Sequence, residues 1–142
     1  MKKVYFAHPI NTYGTPLEVE LLALVKEKWP HHEVVNPSDQ VHIDKVAELK
    51  KDDPKANVMP YFEALTASCD ELVALPFADN MWGAGVWAEA EKMLAKGGWV
   101  WVIHPDSRKV TYVPKLLPEL KLSVDETRAR IRNPDGTSKP YA

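Results

Sequence analysis

The chain has 142 residues, of which 45% are hydrophobic and 27% are charged, and its formal net charge at pH 7 is -2. These values suit one compact domain, so we expect a single domain over residues 1–142. The sequence shows no clustered excess of Lys and Arg, so we expect neither a nucleic-acid polymer nor a membrane as partner. We therefore expect a small-molecule partner.

The cysteine content and the first residues bear on the compartment. Cys69 is the only cysteine, so no disulfide forms within the chain. The basic residues 1–3 lead directly into strand-like residues 4–6, without the apolar stretch of a signal peptide or a membrane span. We therefore expect a cytoplasmic protein.

The first third of the chain predicts a strand, a helix and a second strand. Residues 3–7 are mostly β-branched or aromatic and precede a His-Pro pair, which favours a strand that ends in a loop. Thr15 and Glu18 match a capping box, and apolar residues recur at helical spacing from 17 to 29. Residues 33–36 predict a short strand before a turn.

The remaining patterns alternate in the same way. A dense charge run within residues 41–55 indicates a surface insertion. Beyond it we predict helices over residues 60–67, 86–96 and 124–131. We predict strands over residues 71–75, 99–103 and 109–113.

This alternation predicts an α/β fold. Parallel strands need long crossovers, and crossover helices cover both faces of a sheet. We expect a flavodoxin-like three-layer sandwich with a mainly parallel five-stranded sheet. Such sheets bind ligands at the carboxyl ends of their strands, here the loops after Ala7, Asn36, Leu75 and Ile103.

The helix after Gly85 contains the strongest candidate for chemistry. Its apolar stripe leaves Glu89 and Glu91 on opposite edges, and the helical period does not choose between them. Glu89 lies nearer the helix N-terminus, where the ligand site is expected and where the dipole favours an anion. Gly83 and Gly85 allow close approach of a ligand to the backbone, although a short Gly-x-Gly is also an ordinary turn.

Two pairs of residues near the expected site have alternative interpretations. Tyr5 and His8 end the first strand, where a phenol or an imidazole could position a carboxylate or a sugar hydroxyl, although Tyr5 could equally be core. Trp82 and Trp87 flank the glycine turn and could stack on a planar ring. For Trp87, which lies on the apolar stripe, we expect core packing.

Several common sites are not indicated by the sequence. The third glycine of a dinucleotide-binding loop is missing, and neither a nucleophile elbow nor a Walker loop occurs. His31, His32 and His42 lack cysteine partners and the helical His-x-x-x-His spacing, so we expect no metal. We expect no cofactor.

Four segments resemble the nucleoside 2-deoxyribosyltransferase family and its relatives, which include deoxynucleoside 5'-monophosphate N-glycosidases. They are residues 4–9 (VYFAHP), 36–40 (NPSDQ), 68–73 (SCDELV) and 83–97, which begins with Gly-x-Gly-x-x-x-Glu. By this resemblance Glu89 is the nucleophile that attacks the anomeric carbon, and Tyr5 orients it.

The resemblance also implies contacts to the base. Gln40 falls where the family contacts the base, and Asp39 takes that place if the match shifts by one residue. Family members place an aspartate in the helix before the third strand, where this chain has Phe62 and then Glu63. Glu63 is the candidate substitute.

Contacts to the sugar differ from the family pattern. Six positions before the nucleophile, members have Asp or Ser, and this chain has Gly83, with Asp79 and Asn80 nearby. The family also implies a homo-oligomer in which the C-terminal residues of a neighbouring subunit, here Tyr141, help to close the site.

The function implied is cleavage of an N-glycosidic bond and transfer of a 2-deoxyribosyl group between nucleobases through a covalent glutamyl intermediate. One alternative is a deoxynucleoside 5'-monophosphate N-glycosidase, and another is a non-catalytic nucleotide-binding protein. The expected partners are thus nucleosides or nucleotides. The loop after the first strand offers no arginine for a phosphate, which favours the unphosphorylated substrate.

Overall fold

The computed structural model describes residues 1–142 as one five-stranded sheet with five helices. The strands are β1 (Lys3–Ala7), β2 (Glu33–Val35), β3 (Glu71–Ala74), β4 (Trp99–Ile103) and β5 (Val110–Tyr112). The helices are α1 (Pro16–Lys28), α2 (Gln40–Leu49), α3 (Met59–Ala67), α4 (Ala84–Ala95) and α5 (Val124–Ile131). None of these helices has both the length and the apolar content needed to cross a bilayer.

The sheet is mixed, with the strand order β2-β1-β3-β4-β5. The pairs β1 with β2, β1 with β3 and β3 with β4 are parallel, which confirms the predicted α/β sheet that is mainly parallel. The edge strand β5 runs antiparallel to β4. Residues 104–109 are too few for a crossover, so the chain can only turn back on itself there.

Alternating side chains of β1 enter two separate cores. Val4 and Phe6 pack with α1 on one face of the sheet. Tyr5 and Ala7 belong to the other core, together with buried residues of α4 such as Met93. The period of two along the strand therefore directs Tyr5 toward α4.

Two local details differ from the sequence prediction. Thr15 Oγ1 caps α1 by accepting from the Glu18 backbone N–H at 3.3 Å, but only this half of the capping box forms. The Glu18 carboxylate instead accepts from Gly14 N–H at 3.1 Å and from Ser38 Oγ at 2.6 Å, because the 36–40 turn lies beside it. Most of the predicted surface insertion is the helix α2, which has no buried residue.

Gly98, between α4 and β4, provides a test of packing. A Cβ at this position would overlap Met93 Sδ and lie 3.0 Å from the Asp70 carbonyl oxygen. We expect Gly98→Ala to lower the free energy of unfolding by about 1–3 kcal/mol, measured by urea denaturation. In the matched control Gly85→Ala the new Cβ meets only Met59 Sδ at 4.0 Å, so stability should be unchanged or slightly higher. Equal losses in both variants would contradict this packing.

Candidate active site

A cavity of about 270 Å³ lies beyond the carboxyl ends of β1 and β3, between α3, the start of α4 and α5. Its walls are mostly apolar and aromatic, and they are formed by Tyr5, His8, Pro9, Ile10, Tyr13, Val58, Met59, Phe62, Phe77, Gly83, Gly85, Val86, Glu89, Thr127 and Ile131. Of the residues singled out in the sequence, the structure brings Glu89, Tyr5, His8, Gly83 and Gly85 together here.

A buried hydrogen bond joins β1 to α4 in this cavity. The Tyr5 hydroxyl donates to Glu89 Oε2, and both side chains are buried. Glu91, the other carboxylate that the helical period allowed, is exposed on the protein surface. Of the two, only Glu89 lies in the cavity.

The protonation of this pair is governed by burial. Burial raises the pKa of Glu89 from 4.5 to about 8, the hydrogen bond from Tyr5 opposes this rise, and the negative charge of Glu63 adds to it. Burial also raises the pKa of Tyr5 far above its usual range, and the Glu89 carboxylate raises it further. Tyr5 is therefore a fixed donor, and Glu89 is the group of the pair that titrates near neutral pH.

His8 forms part of the cavity wall, and both of its ring nitrogens are engaged. Nδ1 lies 2.7 Å from Thr12 Oγ1, and Nε2 lies 3.0 Å from Asn36 Oδ1. Asn36 Oδ1 also accepts from the Ser38 backbone N–H, so His8 Nε2 is the donor in its bond to Asn36. Burial lowers the pKa of His8, although Nε2 lies 3.4 Å from Glu18 Oε2.

Glu18 is a buried charged residue whose place beside His8 was not predicted from the sequence. Its position in α1 indicated only a helix cap, whereas its carboxylate faces His8 and the turn after β2. No sequence signal could have revealed this, because the contacts join the first turn of α1 to the separate loops that follow β1 and β2. Glu18 supports the back of the cavity wall.

A larger groove of about 970 Å³ adjoins the cavity and shares Met59, Gly85, Thr127 and Ile131 with it. Three basic side chains line the groove, and they are Arg128, Arg132 and Lys139. Glu63 also lies in this groove and not in the cavity, whereas its neighbour Phe62 lines the cavity. Asp125 is a second acidic residue of the groove and lies 3.4 Å from Arg128 Nη1. The outer groove therefore contains three basic and two acidic side chains, whereas Glu89 is the one carboxyl group of the inner cavity.

Gln40 and Asp39 do not reach the cavity. Both are exposed at the start of α2, and Gln40 Nε2 donates to Asp44 Oδ1 at 2.8 Å. Because α2 has no buried residue, no packing directs these side chains toward the strand ends. The expectation that Gln40 lines the site is therefore not met in this structure.

Asp79 and Asn80 also lie outside the cavity. Asp79 binds Arg130 of α5 through two hydrogen bonds of 2.9 and 2.7 Å, and the bond from Arg130 lowers the pKa of Asp79. Asn80 occupies a left-handed turn position with φ of 68°. The loop after β3 thus holds α5 in place and supplies the cavity only with Phe77 and Gly83.

The C-terminal segment packs against its own chain. The Tyr141 hydroxyl donates to the Pro76 carbonyl oxygen at 2.6 Å, and its ring stacks on the cavity residue Phe77 with centroids 6.1 Å apart. Asn11 Nδ2 donates to the Lys139 carbonyl oxygen at 3.1 Å. Tyr141, expected to close the site of a neighbouring subunit, instead supports the wall of its own cavity.

The two tryptophans beside the glycine turn are buried in the core and do not line the cavity. Trp82 and Trp87 pack edge to face with centroids 6.2 Å apart. The core position predicted for Trp87 is confirmed. Trp82 is also in the core, because hydrogen bonds from its backbone to residues 120 and 122 hold it there.

Comparisons of the chain with family models, curated proteins and solved structures produced no match. The structure contains no group of three or more His, Cys, Asp or Glu side chains arranged to hold a metal ion.

The raised pKa of Glu89 predicts a pH-dependent stability. Between pH 4.5 and about 8 the native state retains a proton that the unfolded state releases, so the wild-type protein loses stability as the pH rises. Glu89→Gln removes this ionisation. The free energy of unfolding of the variant, relative to that of the wild type, should therefore increase with pH and reach a gain of a few kcal/mol near pH 8. Urea unfolding at several pH values across this range measures the difference. The exposed control Glu91→Gln should show no such trend, and a pH-independent difference for Glu89→Gln would contradict the buried ionisation.

Proposed function

We propose that this protein cleaves the N-glycosidic bond of 2-deoxyribonucleosides and transfers the 2-deoxyribosyl group between nucleobases, with Glu89 as the covalent nucleophile. The observation that supports this most is the buried Glu89 carboxyl group, bound by Tyr5 at the carboxyl ends of parallel strands. The strand order 2-1-3-4-5 favours a flavodoxin-like fold, in which ligands bind at that end of the sheet.

Burial suits Glu89 to nucleophilic attack. A carboxylate in an apolar cavity is poorly solvated, and forming a neutral ester with the anomeric carbon removes the buried charge. Tyr5 holds Oε2 and leaves Oε1 for the substrate. Before the ester forms, the same negative charge stabilises an oxocarbenium-like transition state, which is easier to reach when the sugar lacks a 2'-hydroxyl.

The reaction then has two balanced steps. In the first, the ionised Glu89 carboxylate, which its pKa of about 8 makes available near pH 8, attacks the anomeric carbon and forms the ester. The bond between that carbon and the base breaks, and its electron pair leaves with the base. In the second, another base attacks the anomeric carbon and releases the carboxylate. The aromatic walls, which include Phe62 and Phe77, are suited to stacking on a planar base.

Substitution of Glu89 tests the proposal directly. Wild-type protein that is given deoxyinosine and adenine at pH 8 should produce deoxyadenosine. Chromatography measures the rate at which this product forms. Glu89→Ala should reduce this rate by about 1000-fold or more, because the covalent route is lost. The exposed control Glu91→Ala should keep the wild-type rate. With deoxyinosine alone, intact mass should reveal a deoxyribosyl adduct on the wild-type protein only.

The other outcomes of this assay identify the alternatives. Free hypoxanthine without deoxyadenosine would indicate a hydrolase. Binding of deoxynucleosides without any product would indicate a non-catalytic nucleotide-binding protein. Full activity in Glu89→Ala would contradict the assignment of the nucleophile.

The outer groove favours a second candidate, hydrolysis of deoxynucleoside 5'-monophosphates. Arg128, Arg132 and Lys139 lie in the groove that adjoins the Glu89 cavity. Arginine binds phosphate through paired hydrogen bonds, so these side chains supply the cations that the loop after β1 lacks. If a deoxynucleoside monophosphate bound with its sugar beside Glu89, its negatively charged phosphate would extend toward this groove.

Arg132→Ala distinguishes the two substrate classes. If monophosphates are substrates, this change should raise their KM by about 10-fold and leave the KM of deoxyinosine unchanged. Lys92→Ala, which removes a cation at the far end of α4, is the matched control. An equal effect of Arg132→Ala on both substrates would count against a phosphate contact in the groove.

A further inference from the structure

The inner cavity has few polar atoms that are free to meet a ligand. The Tyr5 hydroxyl is committed to Glu89, and both nitrogens of His8 are engaged. Thr127 Oγ1 donates to the Ser123 carbonyl oxygen and accepts from the Ala84 N–H. Among these cavity residues, Tyr13 alone has a side-chain donor without a partner in the chain.

The fold holds Tyr13 in a defined position. It follows the 3-10 turn Ile10–Thr12, and its backbone N–H donates to the Ile10 carbonyl oxygen at 3.1 Å. Its ring lies 4.9 Å from the His8 ring, centroid to centroid, and His8 is itself fixed by two hydrogen bonds. Tyr13 is therefore a preorganised donor in the cavity wall.

The Tyr13 side chain also lies within electrostatic reach of Glu89. Burial raises the pKa of Tyr13, and the charges of Glu89 and then Glu18 raise it further. The phenol consequently stays protonated throughout the neutral range. It can donate a hydrogen bond, but it does not readily give up its proton.

We propose that Tyr13 is a further catalytic residue, which donates a hydrogen bond to the nucleobase as the base departs. This assignment depends on the proposed function, in which the base takes the electron pair of the broken bond to the anomeric carbon. Apart from the nucleophile Glu89, no carboxylic acid lines the inner cavity. The Tyr13 hydroxyl is thus the donor available to stabilise the developing negative charge.

The proton balance does not require Tyr13 to ionise. In transfer, the incoming base loses an N–H proton and the departing base gains one. In hydrolysis, the attacking water supplies that proton and its oxygen binds the anomeric carbon. Tyr13 remains a neutral donor throughout. It lowers the barrier to departure of the base and, in transfer, the barrier to attack by the incoming base, which is the reverse of the same step.

The test compares two leaving groups in the Tyr13→Phe variant. The base that leaves deoxyinosine develops negative charge. In a 2-deoxyribosyl nicotinamide nucleoside the base is a cationic pyridinium ring, and it leaves as a neutral pyridine. Tyr13→Phe should reduce kcat for deoxyinosine by about 100-fold and leave kcat for the pyridinium nucleoside within a factor of about two. Tyr112→Phe makes the same change on the edge strand β5 and should alter neither rate.

Three other results would contradict the role of Tyr13. Equal losses with both leaving groups would show that Tyr13 has only a structural role, and unchanged rates with both would show that it makes no contact in the transition state. If wild-type protein turns over neither nucleoside and no monophosphate, the proposed function itself fails, and the role of Tyr13 fails with it.

Discussion

The hydrogen bond from Tyr5 to Glu89 is the interaction on which the rest of the site depends. It joins the inner strand β1 to α4 and gives a hydrogen bond to a carboxyl group that is removed from water. Burying an ionised carboxylate is costly, and this single bond offsets only part of that cost, so the pKa of Glu89 stays raised. The protein thus keeps a buried carboxyl group whose ionisation lowers the stability of the native state.

The wall opposite Glu89 comes from segments that are distant in the sequence and are held by polar contacts. Arg130 of α5 binds Asp79, Thr127 accepts from the first turn of α4, and Tyr141 stacks on Phe77. Because α5 has no buried residue, these contacts and not a hydrophobic stripe fix its orientation. The result is an apolar inner cavity next to a groove lined by both basic and acidic side chains.

Where the local pattern was strong, the sequence predicted the elements well. The bounds predicted for β1 and β4 agree with the structure, since aromatic and β-branched runs are local signals. The bounds predicted for α5 also agree, and the structure adds a capping box between Ser123 and Glu126 there. The antiparallel direction of β5 was not predicted, because it depends on the length of a connection and not on the pattern of the strand. The position of Gln40 was inferred from resemblance alone, and the unpacked helix α2 does not bring it to the cavity.

The sequence by itself determined the α/β alternation, the helix that contains Glu89 and the end of the sheet where a ligand site would lie. The helical period left Glu89 and Glu91 equivalent, and the sequence favoured Glu89 through its place near the helix N-terminus and through the resemblance. The tertiary structure puts Glu89 in the cavity and leaves Glu91 exposed. It also decided that Asp79 holds α5, that Glu18 supports His8 and that Tyr13 keeps a free hydroxyl. These roles depend on distances between segments far apart in the chain, and local periodicity contains no information about such distances.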